Sequence, residues 1–128
     1  MITMTDYEEL ADFCITHSDG HFGNIHRQII IDTCRNFDEV GQLIVKRDHG
    51  EIVAALYFDW LPNSTVDVKE LVIHRDHRNI RTLKLIILKG WSTYPQAKFI
   101  RMSRRKYHDR VSTYKIAQFF KGDLNGRN

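Results

Sequence analysis

The chain has 128 residues, 42% of them hydrophobic and 27% charged, the balance of an ordinary globular domain. That length makes one domain and buries roughly two-thirds of the unfolded chain's surface, enough for a self-standing core. No repeat, low-complexity tract or apolar run near the ~18 residues of a membrane span is present, and the N-terminal stretch MITMTDYEELADF is acidic where a secretory signal would be basic and then apolar. The expectation is a cytoplasmic domain with no membrane partner.

Residues 5–16 begin with a threonine cap and acids in the first turn, and Leu10, Phe13 and Cys14 then fall on one face. This predicts a first helix. SDGHFGN is a loop. Ile25, Ile29 and Ile30 at helical spacing predict a second helix over 24–36, broken by FDEVG. QLIVKRD and EIVAALYFDW are two β-type runs joined at His49-Gly50, a hairpin signal. VDVKELVIH, residues 66–74, reads as a third strand. Ile80, Leu83, Ile87 and Trp91 share one face of an amphipathic helix ending near Gly90. AKFIRMSRRK alternates as a strand, and VSTYKIAQFF is read as a short helix. The order α-α-β-β-β-α-β-α predicts a mixed α/β or α+β sheet, mainly antiparallel, of about five strands with helices on both faces and C-terminal strands short or missing.

Cys14 and Cys34 lie outside any CxxC pair, so the reading is two free buried thiols and no zinc site of the usual spacing. His74 and His77 are three apart in a basic turn with no second ligand cluster, and no metal is expected. Charge is split along the chain. Residues 1–68 carry 4 Lys and Arg against 12 Asp and Glu, net −8; residues 69–128 carry 15 against 4, net +11. A basic half of that size suits an anion such as a cofactor phosphate, nucleic acid or an acidic protein surface. The plainer alternative is that the halves attract each other within the fold.

The strand, turn and helix of residues 68–91 stand at the centre of this order, and the turn HRDHRNIRT contains no glycine. The arrangement resembles the GNAT superfamily of acetyl-CoA-dependent N-acetyltransferases, over about residues 40–120 and more weakly over the first two helices. In that family the turn reads V-x-P-x-x-R-G-x-G-x-G or Ala. Its amides and the start of the next helix bind the pyrophosphate of coenzyme A. Leu71 and Ile73 fit the strand, Arg75 stands at the proline, Arg78 at the arginine, and Asn79, Arg81 and Leu83 at the small positions. The resemblance implies cofactor contacts at Leu71, Ile73, Arg78, Asn79, Arg81 and Thr82. It also implies a general base at Glu70 and, at Tyr114, an acid for the departing thiolate. The family's following Gly-Phe reads here as Gln118-Phe119.

Two readings of the turn follow. Guanidinium groups of Arg75, Arg78 and Arg81 replace the amide contacts. Alternatively, side chains at 79, 81 and 83 fill the hollow where the diphosphate would lie, and each short amide bond lost removes about 1 kcal/mol. The second is the expectation taken here: a GNAT-like domain with a degraded acetyl-CoA site and no cofactor, acting as a binding or assembly module with a protein partner or as a homo-oligomer. In length, turn and clipped C-terminus the chain is similar to small GNAT-like proteins of tailed-phage particles, which implies the host cytoplasm or the virion as its location. The alternatives are an active N-acetyltransferase, with Glu70 as base, Tyr114 as acid and Arg78 with Arg81 gripping phosphate, and a small nucleic-acid-binding domain. The last rests on Arg101, Arg104, Arg105, Lys106 and Arg110, which interleave with aromatics; a solvated, charged edge strand is the commoner outcome of such a run.

Overall fold

Alternating apolar residues draw the middle of the chain into strands β1 (Leu43–Asp48), β2 (Glu51–Leu61) and β3 (Thr65–Ile73), preceded by helices α1 (Met4–His17) and α2 (Arg27–Glu39). Helix α3 (Ile80–Thr93) crosses over to β4 (Phe99–Arg104), and β5 (Arg110–Lys115) returns beside it. The computed structural model describes residues 4–104 and 110–120. The five strands lie in chain order in one sheet. Every pairing is antiparallel except β3 with β4, where the α3 crossover makes it parallel. The β1–β2 turn places His49 at φ 52° and Gly50 at φ 83°, and the β2–β3 turn places Asn63 at φ 64° and Ser64 at φ 57°. Two successive left-handed residues match the twist of the flanking strands.

Each face of the sheet carries its own core. Tyr7, Leu10, Phe13 and Cys14 of α1 and Ile30, Ile31 and Cys34 of α2 pack on Ile52, Ala55 and Val72. On the opposite face Ile86 and Ile87 of α3 pack on Ile44, Ala54, Leu56, Phe58, Val66 and Ile100. Ala54 and Ala55 serve opposite faces, as strand alternation requires. The free edge of β1 is covered rather than open: the Tyr94 hydroxyl donates to the Gly41 carbonyl and Lys89 Nζ to the Val45 carbonyl, which blunts it against pairing with another chain.

Three expectations need correction. Helix α2 begins later than 24, because His26 is its N-cap and accepts from the Gln28 amide through Nδ1. It then runs through Phe37 and Asp38 to Glu39, ahead of Gly41 at φ +73°. Helix α3 passes through Gly90 to Thr93, and a Cβ at Gly90 would sit in ordinary contact with Ile44 at 3.6 Å, so that glycine lies in the α3–sheet contact instead of ending the helix. VSTYKIAQFF is not a helix: Arg110–Lys115 pairs with β4 from Arg104↔Arg110 to Phe99↔Lys115, and only Ile116–Phe120 coils, as a 3-10 turn. Val111 and Thr113 are β-branched and favour the strand once β4 offers an edge.

The turn after β3 is braced against the end of α1. Arg78 donates through Nε to the Ile73 carbonyl at 3.1 Å, through one terminal nitrogen to Asp19 at 2.6 Å and through the other to the His17 carbonyl. The rings of His17 and His74 lie 4.0 Å apart. His17 Nδ1 accepts from the Arg75 amide at 3.2 Å and His74 Nδ1 from the Asp76 amide at 3.1 Å. Both acceptors work only while Nδ1 carries no proton. Burial, with His74, Arg75 and Arg78 nearby, holds His17 below the ordinary histidine value of 6.5.

Two predictions follow from this architecture. Phe58, 2% exposed at the centre of the α3-side core, should cost ~3–5 kcal/mol when changed to alanine; urea unfolding checks this, and a loss below ~1 kcal/mol would contradict its place in the core. Between the lowered native value of His17 and 6.5 the unfolded chain binds the proton and the folded one does not, so this group's contribution is complete above 6.5 and is lost as pH falls below it. Measured by urea unfolding at pH 7 and pH 5, wild type should lose more stability than His17→Asn, whose amide oxygen can still accept from Arg75.

Candidate functional site

The parallel pairing of β3 with β4 is brief. It joins Thr65↔Phe99, Val66↔Ile100 and Asp67↔Arg101. Beyond Asp67, β3 runs on to Ile73 beside β2, while β4 continues to Arg104 beside β5, so the two strands diverge. Asp67 sits buried at the fork. Its carboxylate takes Lys69 Nζ at 2.8 Å and Arg101 at 3.5 Å, one cation from each diverging strand. A buried carboxylate without such partners would be costly. Lys69 is also the extra residue of a bulge: Tyr57 opposes Glu70, and Phe58 opposes Val68. The bulge puts Asp67 and Glu70 on one face and strengthens the local twist.

That face is the one covered by α1 and α2. Glu70 shares it with Val72 and lies opposite Tyr57. Its Oε1 is 2.7 Å from Nε2 of His21, which comes from the α1–α2 loop. The Tyr57 ring stacks on Phe37 with centroids 4.4 Å apart, and burial beside Glu70 pushes its hydroxyl well above the ordinary tyrosine range. Tyr57 therefore stays protonated and can donate. Glu70, His21 and Tyr57 form a polar group on the α1–α2 side, just past the fork.

The turn beyond β3 has little left to offer a phosphate through its backbone. The amides of His74, Arg75, Asp76, His77 and Asn79 donate to Val53 O, His17 Nδ1, His74 Nδ1, His74 O and His77 O. Asn79 is the N-cap of α3, and its Oδ1 accepts from the Thr82 amide at 2.9 Å. The amides of Ile80 and Arg81 have no intrahelical acceptor, as at any helix start. Of the residues expected to touch cofactor, Arg78 is turned back to Asp19 and the end of α1. Thr82 is buried, while Asn79 and Arg81 are exposed. Leu71, Ile73 and Leu83 pack their side chains into the α3-side core. Leu83 thus points into the protein, and the expected filling of the hollow by side chains at 79, 81 and 83 does not hold at that position.

Tyr114 is not beside Glu70. It lies in β5 opposite Ile100, in the α3-side core, with its ring 5.6 Å from that of Phe119. Ile100 is level with Val66, four residues before Glu70 on β3, which is roughly 13 Å along a strand, and Glu70 faces the other side of the sheet. In the basic segment, Arg101 is turned to Asp67. Arg104 and Arg110 are register partners in β4 and β5, and Arg105 and Lys106 lie outside the described residues. Several cations of the basic half meet acids of the acidic half: Arg78 and Arg75 at Asp19, Lys69 at Asp67 and Asp59, Arg101 at Asp67. Part of the charge split is therefore internal pairing. Among the described residues no group of three His, Cys, Asp or Glu could hold a metal ion, and no helix is long and apolar enough to cross a membrane.

Sequence reasoning missed His21 and Asp67. The loop SDGHFGN signals only a turn, and 49 residues separate His21 from Glu70. Asp67 reads as an ordinary outward residue of an alternating strand; only the fork makes it the shared partner of two strands.

No family model matches the sequence, and no curated protein matches it either. Solved structures do. The PaiA N-acetyltransferase from Thermoplasma acidophilum, in complex with coenzyme A, matches over 89% of this chain and 95% of its own, with a TM-score of 0.61 and 7% identity. A GNAT-family acetyltransferase from Staphylococcus aureus matches over 95% and 78%, with a TM-score of 0.54 and 19% identity. Diaminobutyrate acetyltransferase EctA from Paenibacillus lautus, with its substrate L-2,4-diaminobutyric acid and coenzyme A, matches over 94% and 69%, with a TM-score of 0.55 and 15% identity. At such identities the likeness speaks for the fold. The chain has the GNAT fold: a mixed, mainly antiparallel sheet of five strands with helices on both faces.

Proposed function

We propose that the chain is an acetyl-CoA-dependent N-acetyltransferase domain that moves an acetyl group from coenzyme A to an amine. The thioester enters where β3 and β4 diverge, and the acceptor amine approaches from the α1–α2 side. The observation that carries this reading is the carboxylate–imidazole pair of Glu70 and His21 on that side, just past the fork. An amine attacks a thioester only as the free base, so a proton acceptor belongs there. Glu70 carries the base function in this reading. The Tyr57 hydroxyl, kept protonated, can donate a hydrogen bond to the departing thiolate. Tyr114 does not fit that role, because it lies in the other core.

The diphosphate grip in this reading is narrow. Arg81, exposed at the second residue of α3, and the amides of Ile80 and Arg81 supply it, aided by the helix N-terminus. Arg75, 57% exposed in its side chain and 3.6 Å from Asp19, can swing toward the same place. Arg78 keeps a bracing role.

A second reading has its own observation in favour. The amides of the turn are largely engaged within the protein, as they would be in a domain that keeps the fold but has lost the acyl-CoA site. Such a domain would work by binding a protein partner or its own copies, for example within a phage particle.

Calorimetry with acetyl-CoA separates the two. The first reading expects saturable heat. Arg81→Ala should weaken binding about five- to tenfold, the loss of roughly one charge-assisted contact of 1–1.4 kcal/mol. Arg78→Ala should lower the thermal midpoint and leave the affinity of the folded fraction within about twofold. Absence of heat at millimolar acetyl-CoA would reject the enzyme reading. The second reading then expects a stable oligomer or complex by sedimentation, and a monomer with no partner would reject that as well.

A further inference from the structure

His21 is held with more care than a surface histidine needs. The loop bends through Asp19 at φ 54° and Gly20 at φ 83°. The His21 amide donates to the Ser18 carbonyl at 3.1 Å, the Gly23 amide to the Gly20 carbonyl at 3.0 Å and the Phe22 amide to Ser18 Oγ at 3.3 Å. The buried Phe22 ring meets the imidazole edge-on at 4.9 Å. Asp19, two residues away, is clamped by Arg78. All of this points the ring at Glu70. A half-exposed ion pair stabilises a protein by at most about 1 kcal/mol, little for so much ordering.

The pairing also sets the chemistry of the ring. An ionised carboxylate only accepts hydrogen bonds, so Nε2 at 2.7 Å from Glu70 Oε1 carries the hydrogen. In the neutral ring Nδ1 is then the basic nitrogen. The His21 side chain is 39% exposed against 20% for Glu70, so the imidazole is the outer member of the pair and meets an arriving amine first. Tyr57 faces the pair from β2, and Arg75 and Arg78 of the turn act on it through Asp19.

We infer that His21 is the general base of this site, accepting the amine proton at Nδ1, while Glu70 is the positioning residue that fixes the ring and its tautomer. This rests on the acetyltransferase reading above and moves the accepting atom from Glu70 to His21. In the step, the amine nitrogen bonds to the thioester carbonyl carbon and the carbon–sulfur bond breaks. One amine proton passes to His21 Nδ1 and from there, directly or through water, to the departing thiolate. The products are the N-acetyl amine, free coenzyme A thiol and a regenerated neutral imidazole.

The test follows thiol release from acetyl-CoA across pH, with and without n-butylamine or spermidine, alongside calorimetry with coenzyme A. His21→Gln keeps a donor for Glu70 but has no titrating nitrogen. It should lower kcat/KM about 100-fold, remove the acidic limb of the pH profile and leave the coenzyme A affinity and thermal midpoint unchanged. Glu70→Gln should lower kcat/KM less and keep an acidic limb, displaced in pH. If His21→Gln retains its rate and its limb while Glu70→Gln is inactive, the base is Glu70 and the inference fails alone. If wild type binds coenzyme A and releases no thiol, the base assignment also falls. If wild type neither binds nor turns over, the acetyltransferase reading fails and takes this inference with it.

Discussion

Arg78 donates to three acceptors drawn from two distant segments: the Ile73 carbonyl at the end of β3, and the His17 carbonyl at the end of α1 with Asp19 just past it. A planar guanidinium can bridge them in a fixed geometry, which a lysine could not reproduce. The consequence reaches beyond the turn. Clamping Asp19 sets the path of residues 18–23, and that path carries His21 onto Glu70. The same contact brings His17 and His74 together and uses the turn's amides on imidazole nitrogens. One side chain thereby links the Glu70–His21 contact on one side of β3 to the start of α3.

The second constraint is the short parallel ladder. Three register pairs hold β3 to β4, and a bulge and a buried carboxylate with two half-exposed cations sit where they end. Asp67 draws Lys69 and Arg101 to the fork, and its buried carboxylate is compensated by them. The sheet is packed on both faces, with α1 and α2 on one and α3 on the other.

A glycine-free turn changes how an anion could be held. Where glycine permits amides to converge on a phosphate, this chain folds the turn on itself through His17, His74 and Asn79. What faces outward is the guanidinium groups of Arg75 and Arg81 and the first amides of a helix. Affinity of that kind is electrostatic and screened by salt.

Much of the architecture was legible in the residues alone. Alternation in 43–61, the His49-Gly50 turn and the apolar stripe of α3 are local patterns, and local sterics and burial enforce them. The order of elements around the strand, turn and helix of 68–91 also carried the resemblance to GNAT proteins. The C-terminal strand did not, because VSTYK becomes a strand only beside the edge that β4 presents. Tyr114 was misplaced for the same reason, since the register with Ile100 decides its face. Leu83 reads as a side chain in a phosphate hollow until helix phase turns it into the core. Arg78 looks like a ligand-binding cation until Asp19, 59 residues away, is brought within 2.6 Å. The sequence by itself determined which residues prefer strand, helix or turn, for those preferences arise within a few bonds. The tertiary structure decided which cations were already engaged and which carboxylate met an imidazole, because such pairings depend on distances through space that chain order does not encode.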